Sequence, residues 1–124
     1  ITKLNEDFIQ AQARRIAIEA ALKQAKEMQA RGLGLDTLPQ VATDPVVVGF
    51  NGQIAALTVD LSRMSEKYKE GHPEVQKVQA QVAQFRKAKD ARATQIVDGL
   101  QAEYSQLQKR ESELRTQRRW RSWR

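Results

Sequence analysis

Apolar side chains recur along this chain in alternating steps of three and four, the spacing that lays them on one face of an α-helix. The residues that break the pattern fall in two clusters. Gly32, Gly34, Asp36 and Pro39, continuing through Thr43, Asp44 and Pro45, form the first; Gly71, His72 and Pro73 form the second. They predict helices at about 1–31, 46–70 and 74–119, joined by a linker over 32–45 and a turn over 71–73.

The first segment sets Leu4, Phe8, Ala11, Ile18, Leu22 and Ala25 on one stripe, which Arg15 interrupts and which Ile9 and Ile16 widen on one side. Gly32 suits the left-handed position that ends a helix. The second segment is the most regular, with Val47, Phe50, Ile54, Leu57, Leu61, Met64 and Tyr68 in unbroken rhythm. Asp44 and Pro45 read as its N-cap and first helical residue. Pro45 to Gly52 could also begin a strand entering an Asn-Gly hairpin, but no alternating partner follows Gly52. The third segment carries Val75, Val78, Val82 and Phe85, and its seam resumes at Ile96, Leu100, Leu107 and Leu114. Lys89 and Arg92 occupy the seam between, and the extra four-residue step from Ile96 to Leu100 relaxes left-handed supercoiling. At 1.5 Å per residue such a helix would run about 70 Å, so it needs a partner along its length.

Pro73 suits a first helical turn, so a reversal at Gly71–Pro73 would supply that partner. It would lay Tyr68 beside Val75, Met64 beside Val78, and Phe50 roughly opposite Ile96. Segment one, beyond the flexible linker, would continue against the distal third helix. The expected fold is therefore all-α, a long antiparallel coiled-coil helical hairpin with no sheet, in one domain. A kinked rod is the rival.

Composition narrows the chemistry. The 124 residues begin at Ile1 rather than Met, which reads as an excised segment, and 21 basic residues outnumber 15 acidic ones. Five Arg and no acid lie in the last ten residues, Arg115 to Arg124; without them the balance is nearly neutral, so the body has no bias toward nucleic acid or acidic lipid, and nucleic acid is not expected as its partner. There is no Cys and one His, so thiolate metal sites, a cysteine nucleophile and a Ser-His-Asp constellation are excluded. No cofactor is expected and no enzyme. No run approaches the roughly 18 apolar residues of a membrane span. Any membrane anchor would lie outside this segment.

Several strings go beyond a generic coiled coil. Leu38-Pro39-Gln40-Val41, Asp44-Pro45-Val46-Val47 and Gln53-Ile54-Ala55-Ala56-Leu57 lead into Leu61-Ser62 and then Lys67-Tyr68-Lys69-Glu70-Gly71-His72-Pro73-Glu74-Val75. Gln79-Ala80-Gln81-Val82, Ile96-Val97, Glu103-Tyr104 and Arg110-Glu111-Ser112-Glu113-Leu114 follow. Over about residues 4–115 the chain resembles the periplasmic coiled-coil region of polysaccharide co-polymerases, the chain-length determinant and exopolysaccharide-export family. The Tyr-x-x-x-His-Pro-x-Val string is the most diagnostic part. The resemblance implies a bacterial inner-membrane protein whose periplasmic segment oligomerises into a bell-like or cage-like assembly. It implies control of the length and export of a surface polysaccharide, with a polymerase or an outer-membrane exporter, and the polysaccharide itself, as partners. Some members carry or pair with a tyrosine kinase, but no phosphate-binding Gly-x-x-x-x-Gly-Lys loop occurs here. The pattern departs after Leu114, where family leucines give way to Arg and Trp.

The candidate site residues follow from these patterns. Tyr68, His72 and Pro73 are either a recognition tip or simply the parts of the turn, with Tyr68 closing the seam and His72 capping the helix. Phe50, Ile54, Leu57, Leu61, Met64, Val75, Val78, Val82 and Phe85 form the packing seam. Lys89 and Arg92 either set the register from a buried position, join a polar subunit contact, or snorkel from a loosely packed stretch. Arg118, Arg119, Trp120 and Trp123, with Arg121 and Arg124, would suit an anionic surface, either lipid or single-stranded nucleic acid, or else form an unstructured basic end. Gly49 and Gly52 lack a phosphate-loop context and would let helices approach closely. The sequence thus reads as a non-enzymatic periplasmic scaffold. Its rivals are the helical hairpin of a periplasmic adaptor in an efflux or secretion system, and a basic nucleic-acid or cytoskeletal binder.

Overall fold

A computed structural model describes residues 2–123. Among them the elements are α1 (Thr2–Ala30), a 3₁₀ turn (Leu35–Thr37), α2 (Pro39–Ala42), α3 (Pro45–Lys67) and α4 (Pro73–Ser122), with no strand. The fold is all-α, and the strand reading of Pro45 to Gly52 gives way to helix. The chain divides into two compact units. One holds residues 1–33 and 97–124, the other residues 34–96, so α4 contributes to both.

In the first unit α1 and the distal part of α4 run antiparallel. Phe8 and Ala11 form a buried cluster with Leu114, and Leu4 and Leu107 pack against it. Ile18, Ala21, Leu22, Ala25 and Met28 extend the buried face of α1. Ile9 and Ile16 do not widen it as expected. Ile9 is 62% exposed and Ile16 is exposed as well, because both sit one position off a stripe that a single partner helix covers. The helix ends in a Schellman arrangement. Gly32 takes φ +71°, its N–H donates to Gln29 O at 3.0 Å, and Leu33 N–H donates to Met28 O at 2.9 Å.

The second unit is a helical hairpin. Phe50 of α3 meets Phe85 of α4 with ring centroids 6.2 Å apart, tilted by 47°. This corrects the expected pairing of Phe50 with Ile96, which lies eleven residues further along α4, roughly 16 Å at 1.5 Å per residue. The cause is the turn. α3 stops at Lys67 rather than near residue 70, and the reversal takes Tyr68 to His72 instead of residues 71–73 alone. A longer loop slides one helix relative to the other.

The segment over 32–45 is more ordered than a flexible joint. Leu35, Leu38 and Val41 are buried, with Leu38 and Val41 fully so, and Pro39 opens the short α2. Apolar residues three apart give the linker a face of its own to bury. The basic end likewise continues as helix to Ser122 instead of being unstructured. Arg and Gln are good helix formers, and Arg118 is held against α1, with its guanidinium carbon 4.6 Å from the Phe8 ring centroid.

Candidate functional site

The reversal of the hairpin is built from the string that the sequence singles out. Tyr68 is the C-cap of α3, in extended backbone, and its N–H donates to Met64 O at 2.8 Å. Its ring stacks on the His72 imidazole with centroids 4.1 Å apart. His72 precedes Pro73, the first residue of α4, and its Nδ1 accepts from the Glu74 backbone N–H at 3.1 Å. A ring nitrogen thus satisfies one of the amides that a helix start leaves without a partner. His72 N–H itself donates to Lys69 O at 2.9 Å. The three residues therefore make the turn. The structure places Tyr68 and His72 together, with Tyr68 still exposed beside a recess that Leu61, Ser65 and Val75 also line.

Along the seam, Val75, Val78 and Val82 are buried on α4. Phe50, Ile54, Leu57, Leu61, Met64 and Phe85 are only half-buried, because a single facing helix leaves the flanks of the seam open to solvent. Ala93, which the periodic reading skips, carries the buried face of α4 past the charged positions.

Lys89 and Arg92 each meet a carboxylate from the 32–45 segment. Lys89 Nζ lies 3.3 Å from Asp36 Oδ2. Arg92 donates twice to Asp44, from Nε to Oδ2 at 3.0 Å and from a terminal nitrogen to Oδ1 at 2.9 Å. The Asp44 carboxylate also accepts from Val47 N–H at 3.2 Å, so it caps α3 while it clasps α4. The Arg92 hydrogen bonds hold the Asp44 carboxyl below the usual carboxylate range; burial opposes this, and the Val47 amide adds to it. The paired carboxylates escaped the sequence reading because both lie in the linker, 53 and 48 residues from their cations.

Arg15 resolves in the same way. It donates to Glu111, which is 6% exposed, and reaches Glu19 at 2.8 Å. Its guanidinium pKa is raised, chiefly by the bond to Glu111. A signal for this pair was present, since Glu111 takes the seam slot between Leu107 and Leu114 just as Arg15 takes the slot between Ala11 and Ile18. On the same face of the first unit, Arg14 pairs with Glu103 at 2.9 Å. No side-chain nitrogen or oxygen is buried without a partner among the described residues.

At the basic end, Arg118 faces inward onto Phe8, and Arg115 lies between that ring, at 6.0 Å, and Glu111, at 3.6 Å. Trp120 and Trp123 point outward, 66% and 84% exposed. Arg124 lies outside the described residues. Among the described residues no group of His, Asp and Glu gathers to hold a metal ion, and no helix is long and apolar enough to cross a membrane. Comparison with protein-family models, with curated proteins and with solved structures finds no match.

Proposed function

We propose that this chain is a non-enzymatic helical scaffold from the periplasmic part of a bacterial inner-membrane protein. It works as a homo-oligomer that governs how long a surface or secreted polysaccharide grows before release. The glycan part of this reading rests on the resemblance of the strings around Tyr68–Val75 to polysaccharide co-polymerases. The scaffold part rests on one observation: α3 keeps more apolar surface than its hairpin can use. Its seam is half-buried from Phe50 to Met64, and Val48 and Val59 are exposed on another face, in line with Gly52 and Ala55. A helix apolar on two sides is suited to packing between neighbours. Copies set side by side through α3 would wall a chamber whose geometry limits glycan extension, and a polymerase or an exporter would engage the assembled form.

The test compares the length distribution of surface polysaccharide in source cells carrying the intact parent protein with cells lacking residues 46–96 of it. A shifted or lost modal length supports glycan length control. An unchanged distribution, with the truncated protein made and localised, overturns it and favours the adaptor hairpin.

A further inference from the structure

We infer that the end of the first unit formed by Arg119, Trp120, Arg121 and Trp123 docks on the surface of an anionic phospholipid bilayer. This stands apart from the glycan reading and rests on how the last turns of α4 sort their side chains. Arg118 is spent on the Phe8 ring, and Arg115 lies close to Glu111. Arg119 and Arg121 form no ion pair among the described residues. They line a cleft of about 410 Å³ together with Leu4 and Asn5 from the first turn of α1. That turn carries no acid. On the next strip of the helix, Trp120 and Trp123 stand one turn apart and, with Thr116 and Arg119, flank an almost wholly apolar hollow.

A bilayer surface offers complements to both strips. Indoles sit at headgroup depth, with the ring in the acyl boundary and the N–H in the polar layer, while guanidinium forks pair with lipid phosphates. A single-stranded nucleic acid fits less well. Its binding grooves track at least about four nucleotides with stacking rings spread along them. Here the positive charge is a patch two turns long, and both rings share one strip.

The full 124-residue chain is mixed with phosphatidylcholine vesicles, with or without phosphatidylglycerol, at low salt. Trp120 and Trp123 are the only tryptophans, so intrinsic fluorescence reports on this end alone. Binding to the anionic vesicles, with a blue-shifted emission and loss at high salt, is expected; neutral vesicles should leave the emission unchanged. R119Q/R121Q should weaken co-sedimentation about 25-fold, at roughly fivefold per arginine. W120A/W123A should weaken it as well, with helical content by circular dichroism kept because both rings are exposed. K67Q/K69Q, which removes the same charge from the end of α3 and the hairpin turn, should leave it unchanged. The proposal is overturned by equal binding to neutral vesicles, by no binding, or by equal weakening in K67Q/K69Q. It is also overturned if a single-stranded oligonucleotide binds more tightly in the same buffer and displaces the vesicles.

Discussion

Asp44 and Arg92, 48 residues apart in sequence, meet through two hydrogen bonds of 2.9 and 3.0 Å. The same carboxylate caps α3 at Val47. One side chain therefore caps the start of α3 and ties it to the turn of α4 that carries Arg92. Asparagine keeps a cap but gives up the charge, whereas alanine loses both. D44A should lower the melting temperature by roughly 5 °C, and D44N by clearly less. Equal losses in thermal melts would mean that the cap contributes nothing apart from the ion pair.

The pH dependence has a definite sign. The folded-state pKa of Asp44 is lowered, so its contribution is complete above the ordinary carboxylate value of about 4 and is lost as pH falls through the lowered folded value. Melting temperatures of the native chain and D44N should differ by a constant amount from pH 7 to pH 5. The gap should close in more acidic solution. A gap that widened on acidification would contradict the clasp.

Arg15, half-buried, pairs with the buried Glu111 on a seam that is otherwise apolar. Removing Arg15 leaves the buried Glu111 carboxylate with only the exposed Arg115 at 3.6 Å, whereas replacing both takes the buried charge away. R15L should therefore destabilise the chain more than R15L/E111L does. A double-mutant cycle in urea reads this directly; additive losses would show that the two charges act independently.

The core of the first unit is thin, so single side chains should matter unequally. L114A removes a side chain that is 2% exposed between Phe8 and Ala11 and should cost about 2–4 kcal/mol. I9A, on the exposed side of α1, should stay within about 0.5 kcal/mol of the native chain. Comparable losses would restore Ile9 to the packed stripe.

Glycine chemistry separates the two breaker clusters. Gly32 holds φ +71°, where a Cβ is strained, so G32A should cost about 1–2 kcal/mol. Gly71 has no positive φ, and nothing lies near an added Cβ, so G71A should be close to neutral. Spin labels at Thr58 and Gln84 test the reversal itself. A hairpin holds them within about 20 Å, whereas a continuous helix would set them nearly 40 Å apart.

Some of this was legible in the residues alone. The three-four rhythm from Val47 to Tyr68 fixed α3 to within a few residues, Asp44-Pro45 fixed its start, and Gly32 fixed the end of α1, because periodicity, capping and left-handed backbone are local requirements. His72 and Pro73 likewise announced where α4 begins. Register was not local. Whether Phe50 faces Phe85 or Ile96 depends on how many residues the turn consumes, and a uniform heptad stripe allows either. The partners of Arg15, Lys89 and Arg92 were decided only when the chain had folded back, since a cation on a seam reads as a defect until a distant carboxylate arrives. Exposure was decided there too. Ile9 is as apolar as Ile18, and only the width of the partner helix determines that Ile18 is buried while Ile9 meets solvent.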